Sequence, residues 1–250
     1  MQTAYRKAIM ELIKLIIVML LSFLGGVVQT VTGFGGGIVM MLVFPYFFDI
    51  TKAPALSAAI GMALSGSLTI KFRKKIDFRK SSIPTVLYVI ISQIAILLIR
   101  YLDMKVIGLV YGGFLIALAL YYFFLAKRIR LREGTGTMLF ATGVSGLASG
   151  FFGIGGPLMA VYYSNILPLG EVYIASTQFN FFMGSILSFV TRILRGIYTI
   201  DLLSYTILGI AAIIVGRQVG LRIARRINGP LLKKIIYVFV AVSGVITILK

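Results

Sequence analysis

The chain has 250 residues, 59% of them hydrophobic, a formal net charge of +18, and neither Cys nor His. A mean hydropathy of +1.01 and an apolar share above the ~45–50% of soluble domains point to a membrane environment. The missing Cys and His exclude disulfides, thiolate chemistry and the usual zinc ligand sets. The cations flank apolar runs and form no recognisable nucleic-acid motif, so no nucleic-acid partner is expected.

The first predicted element follows Arg6 and Lys7 and includes Leu15–Leu24. It resembles the charged and apolar regions of a signal peptide, but no A-x-A-like site follows, so a retained first membrane segment is expected. Residues 15–48 carry no Asp, Glu, Lys or Arg, and they contain the cluster Gly33, Gly35, Gly36 and Gly37. Only Ile38–Phe48 remain after it, about half to two-thirds of a crossing at 1.5 Å per residue. The simplest geometry is a discontinuous or re-entrant pair with the glycines inside the membrane. Unpaired backbone at that depth requires burial in protein or a watery cavity. Uncharged runs 53–70, 81–99 and 106–126 supply further spans.

The second half repeats this order. Residues 134–170 are again uncharged and contain Gly153, Gly155, Gly156 and Pro157, leaving Pro157–Leu169 as another short piece. Runs 172–191, 202–216 and 235–249 follow. GFGGGIVM at 33–40 aligns with GIGGPLMA at 153–160, an offset of 120, and Gly26 and Gln29 fall on Gly146 and Ser149. The expected fold is therefore an all-α polytopic membrane protein of about eight to ten segments. Two repeats, 1–133 and 134–250, form one integrated transmembrane domain with helices broken at the glycine motifs.

Loop charge bears on how the repeats are oriented. In the first half the rich loop comes first, with Lys71, Arg73, Lys74, Lys75, Arg79 and Lys80, and only Arg100 and Lys105 follow. The second half reverses this: Arg192 and Arg195 precede Arg217, Arg222, Arg225, Arg226, Lys233 and Lys234. If basic loops stay inside, equivalent loops face opposite sides, which favours an inverted repeat. Loop 127–133 would then also lie inside. Arg6, Lys7 and Lys14 would sit outside and fit the rival parallel arrangement better.

Helices starting after each glycine cluster would offer unpaired amides and a positive dipole end to an anion. Pro157 suits a first helical position, where its missing N–H costs nothing. Close helix packing is the competing explanation of the glycines. Gln29, Thr30 and Thr32 precede the first cluster; Thr142, Ser145 and Ser149 precede the second. Ser176, Thr177, Gln178 and Asn180 form the densest polar patch in any span, with Ser57, Ser65 and Ser67 a weaker counterpart. The candidate substrate-binding set is Gln29, Thr32, Gly33, Gly35, Gly36, Gly37, Ser149, Gly153, Gly155, Gly156, Pro157, Gln178 and Asn180. Arg192, near the end of its run, could offer a fixed positive charge to an anion, but snorkelling to the interface is the favoured expectation.

GGVVQTVTGFGGGIVMMLVFPYFF and GLASGFFGIGGPLMAVYYSN, with the closing stretch VGRQVGLRIARRINGPLLKKIIYVFVAVSGVITIL, resemble the TauE/SafE family of sulfite and organosulfonate permeases. The resemblance spans nearly the whole chain. It implies a multi-pass cell-membrane permease for a small anion, often a sulfur oxyanion or sulfonate, working by alternating access or a channel-like route.

The seven acidic residues (Glu11, Asp49, Asp77, Asp103, Glu133, Glu171 and Asp201) fall at or outside the expected segment ends. Coupling through a buried carboxylate is therefore not expected. A negative interior itself drives each negative charge outward by about 2.3 kcal/mol per 100 mV, which suits a uniporter or channel-like exporter. No nucleotide loop, catalytic residue, cofactor or metal spacing is found. The expected partners are a small anion and the bilayer, and a homo-oligomer is compatible with the sequence. Rival readings are an intramembrane enzyme acting on lipid or prenyl groups, with Asp77 or Asp201 as its candidates, and a non-transporting scaffold subunit.

Overall fold

The computed structural model describes residues 2–103 and 134–226, together with Val106, Val110 and Gly113, and every regular element among them is helical. Eight α-helices are bounded among the described residues: α1 (Gln2–Thr32), α2 (Gly36–Met41), α3 (Lys52–Lys71), α4 (Phe78–Leu98), α5 (Thr135–Phe152), α6 (Gly156–Ile166), α7 (Glu171–Leu194) and α8 (Leu203–Ala224). Among the described residues, four segments are long and apolar enough to cross a bilayer: Ala8–Thr32, Lys52–Lys71, Phe78–Tyr101 and Ile200–Ala224. The expected loop 127–133 and run 235–249 lie outside the described residues, as does run 106–126 apart from Val106, Val110 and Gly113.

The side chains are distributed for a lipid surround. Ile16, Leu20, Ile83, Ile90 and Ile207 are exposed on the outer faces of α1, α4 and α8, while Ser22, Ser65, Thr142, Gln178 and Asn180 are buried. Water would drive the opposite arrangement. In a bilayer, apolar surface gains nothing from burial, and polar groups are satisfied only inside the protein.

Two sets of helices run in opposite directions. At one end of the molecule the Tyr205 hydroxyl donates to the Glu11 carboxylate and Lys52 pairs with Asp201 at 2.9 Å. At the other end Thr30, Lys71 and Arg225 border a common hollow. Helices α1, α3 and α8 therefore all run from the first end to the second. The Asp77 N–H donates to the Ser176 hydroxyl (3.1 Å), and Thr191 donates to Gln93 (2.6 Å) near the opposite ends of the same two helices. Helices α4 and α7 thus run the other way. So does α5, because Gly146 and Gly150 face Tyr88 and Ser92 in order along α4.

Glycine makes the tightest crossings possible. A Cβ at Gly26 or Gly216 would overlap the carbonyls of Ile213 or Phe23 between α1 and α8, and one at Gly150 would overlap the Ser92 carbonyl between α4 and α5. Backbones that approach this closely gain dispersion along the whole crossing, which is how helices associate where the hydrophobic effect is absent. One end of the bundle gathers Lys71, Arg73, Lys74, Lys75, Arg79, Lys80, Arg222, Arg225 and Arg226 around Asp77 and Glu171. Loop 71–80 and the described part of 217–234 therefore share one side.

Candidate functional site

Helix α1 stops at Thr32 and α2 starts at Gly36; α5 stops at Phe152 and α6 starts at Gly156. Each short helix then runs back alongside its predecessor. The first break turns on Gly33 (φ 86°) and Gly35 (φ 100°), the second on Gly153 (φ 69°). These are left-handed conformations that cost side-chain-bearing residues energy. At the second break the Gly153 N–H bonds to the Ser149 carbonyl (2.9 Å) and the Ile154 N–H to that of Ala148 (3.3 Å), closing the end of α5 in the manner of a glycine C-cap.

The first break is held by side chains from α7. Tyr173 donates its hydroxyl to the Thr32 carbonyl (3.0 Å), and Gln178 Nε2 donates to the Gly33 carbonyl (2.7 Å). Gln178 Oε1 in turn accepts from Gln29 Nε2 (2.9 Å). The Thr32 hydroxyl donates to the Phe34 carbonyl (2.6 Å) and accepts from the Phe34 N–H (3.3 Å).

The two breaks touch each other. A Cβ at Gly37 would stand 2.7 Å from the Gly153 carbonyl oxygen, and one at Gly156 would stand 3.3 Å from Phe34 Cβ. A hollow of about 70 Å³ lies between them, several times the ~10–15 Å³ that one water requires. Backbone from both breaks lines it (Gly35, Gly37, Gly153, Gly155, Gly156), with Gln29 and Ser149 from the helices leading in. Ser57, Ala58, Gly61 and Ser65 on α3, Tyr88 on α4, and Phe181, Ser185 and Ser188 on α7 add to the wall, with Ile38 and Met40 of α2 and Ile154 of the second break as its further apolar part. Among the described residues, no Asp or Glu lines it. The first amides of α2 and α6 have no partner within their own helices.

Seven of the sequence candidates thus meet at one hollow: Gln29, Gly35, Gly37, Ser149, Gly153, Gly155 and Gly156. The others lie elsewhere. Thr32, Gly33 and Gln178 build the first break itself. Gly36 packs on Gln29, whose Oε1 would be 2.5 Å from an added Cβ. Pro157 borders a smaller neighbouring hollow with Ser145 and Leu158. Asn180 is fully buried, its Oδ1 accepting a long bond from the Tyr163 hydroxyl (3.5 Å). Tyr88, Ser185 and Ser188 were absent from the sequence candidates. A stripe of Ser57, Gly61 and Ser65 at four-residue spacing is the signal that could have marked the α3 wall.

Arg192 departs from expectation. It is 0% exposed, with Nε donating to the Ser188 hydroxyl (3.2 Å) and Nη2 to the Gly150 carbonyl (2.6 Å). The physical reason is helix polarity. Side chains tilt toward the N-terminus of their helix, so an arginine near the C-terminal end of α7 points back into the bundle, away from the near interface. The acidic candidates for a membrane enzyme are occupied structurally: Asp77 Oδ1 accepts the Lys80 N–H at the start of α4 (3.0 Å), and exposed Asp201 pairs with Lys52. No cluster of potential metal ligands occurs among the described residues.

A family model described as "Sulfite exporter TauE/SafE" matches residues 18–247. The chain is also similar to a probable membrane transporter protein of Methanocaldococcus jannaschii, with 26% identity over 267 aligned positions covering 95% of this chain and 97% of that protein. No solved structure matches.

Proposed function

Since the chain belongs to the TauE/SafE sulfite exporter family, and is thus a multi-pass membrane transporter, we propose that it carries a small sulfur oxyanion through the hollow between its two glycine breaks. Sulfite, an organosulfonate or a close relative is the substrate class. The observation that carries this reading is the make-up of the wall, which brings backbone from both helix starts together with Ser57, Tyr88 and Ser149 and has no carboxylate residue among the described residues. Such donors replace the hydration of an oxyanion, and glycine lets its oxygens reach the backbone.

The reading extends to the architecture. Residues 1–133 and 134–250 act as two inverted repeats, with α1 to α4 equivalent to α5 to α8. Three observations support this: both halves break at glycine, α1 packs on α8 as α5 packs on α4, and α1 and α5 run in opposite directions. Because each repeat supplies one wall of the hollow, rocking one half against the other would open it to alternate sides. The lysine- and arginine-rich end lies in the cytoplasm by the positive-inside rule. With no carboxylate at the hollow among the described residues, the membrane potential alone drives the anion outward, at about 2.3 kcal/mol per charge per 100 mV.

Flux of radiolabelled sulfite from proteoliposomes tests the proposal. Protein-dependent efflux that speeds up as the interior is made more negative is expected. Efflux no faster than from protein-free liposomes, for sulfite and for a panel of organosulfonates, would refute it.

A further inference from the structure

The hollow has a charged neighbour that its wall does not include. Arg192 reaches Ser188, a wall residue, through Nε (3.2 Å), and reaches Gly150, next to wall residue Ser149, through Nη2 (2.6 Å). Its guanidinium therefore sits one hydrogen bond behind the wall, toward the end of the bundle where α7 terminates. It is completely buried, and its Nη1 has no hydrogen-bond partner. None of the ion pairs among the described residues involves it. The groups it hydrogen-bonds are a neutral hydroxyl and a carbonyl, so no charge among the described residues compensates its own.

An uncompensated charge in the interior is among the costliest features a protein can carry. Helix packing does not require it, since a carbonyl and a hydroxyl are satisfied as well by a neutral donor. An arriving anion supplies the missing partner. We propose that Arg192 is the fixed positive charge of the anion path, drawing the oxyanion from the hollow toward the non-basic end of the bundle and pairing with it through the free Nη1. The inference rests on the anion-transport reading and adds to it a selectivity element: the wall distinguishes polar from apolar solutes, and Arg192 distinguishes anions from neutral ones.

The test uses the full chain in detergent, with sulfite binding measured by calorimetry for wild type, Arg192→Lys and Arg192→Gln at low and high ionic strength. Lysine keeps the charge and loses the two-point hold on Ser188 and Gly150; glutamine loses the charge and keeps a donor. Expected results are R192K within about threefold of wild type and R192Q weaker by on the order of 30-fold, the size of one hydrogen bond to a charged partner. R192Q should also lose most of the salt dependence. Equal binding by R192Q and wild type, or equal loss in both variants, would overturn the assignment and leave Arg192 a packing residue. If R192Q fails to fold, wild type labelled with 15N-arginine decides the matter, with R192K identifying the Arg192 signal. Sulfite must shift that signal, and its constancy in a binding-competent sample overturns the proposal. Absence of sulfite binding by wild type itself would instead count against the transport reading, and would remove Arg192's role with it.

Discussion

Filling the hollow without disturbing the packing around it separates transport from folding, and Gly61 permits this. It sits on α3 between Ser57 and Ser65, one turn from each, and all three line the hollow. A Cβ built there meets no atom within 4 Å. Gly61→Ala therefore meets no steric obstacle from the protein, and it removes the helix penalty of glycine, about 0.8–1 kcal/mol. Thermal stability should rise, by roughly 2–4 °C per kcal/mol for a chain of this size. The methyl group enters a space of about 70 Å³ that must also hold the anion. Overpacking a filled site costs about 1–3 kcal/mol, so sulfite affinity should fall by roughly 5–150-fold, and Gly61→Leu should abolish flux. The assay pairs melting temperature in detergent with efflux from proteoliposomes. A G61A protein that melts higher and transports sulfite as wild type does would place the anion elsewhere.

Other outcomes follow from the same geometry. Gly37→Ala sets a Cβ 2.7 Å from the Gly153 carbonyl, so the two breaks must part; flux should drop and stability fall by about 1–3 kcal/mol, read by thermal melting. Gly156→Ala meets only side-chain atoms, at 3.3 Å and beyond, and should cost less than G37A in the same melt. Gln178→Leu strips the Gly33 carbonyl and Gln29 of their partner at about 1–3 kcal/mol. Its melting temperature should fall even though Gln178 does not line the hollow. Reporter fusions at residues 75 and 226 should land on the same, cytoplasmic side; opposite sides would contradict the helix directions.

The architecture was legible because the bilayer imposes a coarse code. Uncharged runs 53–70 and 81–99 became α3 and α4 almost residue for residue, since a span must exclude charge over its whole length. The breaks were legible too. Three left-handed glycines fall inside the two clusters, and a span interrupted by glycine has no other simple fold. Side-chain direction was not legible. Gln178 and Asn180 read as one polar patch, yet only two positions apart they face different neighbours, one the first break and the other Tyr163. Arg192 read as an interfacial residue because its distance from the end of the run was visible, whereas the polarity of α7 was not. Tyr88, Ser185 and Ser188 belong to the hollow only because α4 and α7 cross there, a fact of packing that periodicity does not contain.

The most direct measurement is the response of the glycine amides themselves. In full-length protein labelled with 15N-glycine, titrated sulfite should move the amide signals of Gly35, Gly37 and Gly156, which line the hollow, assigned by single substitutions, along one saturable curve that matches the binding isotherm. Saturable sulfite binding with all three signals unmoved would show that the broken helices hold no anion.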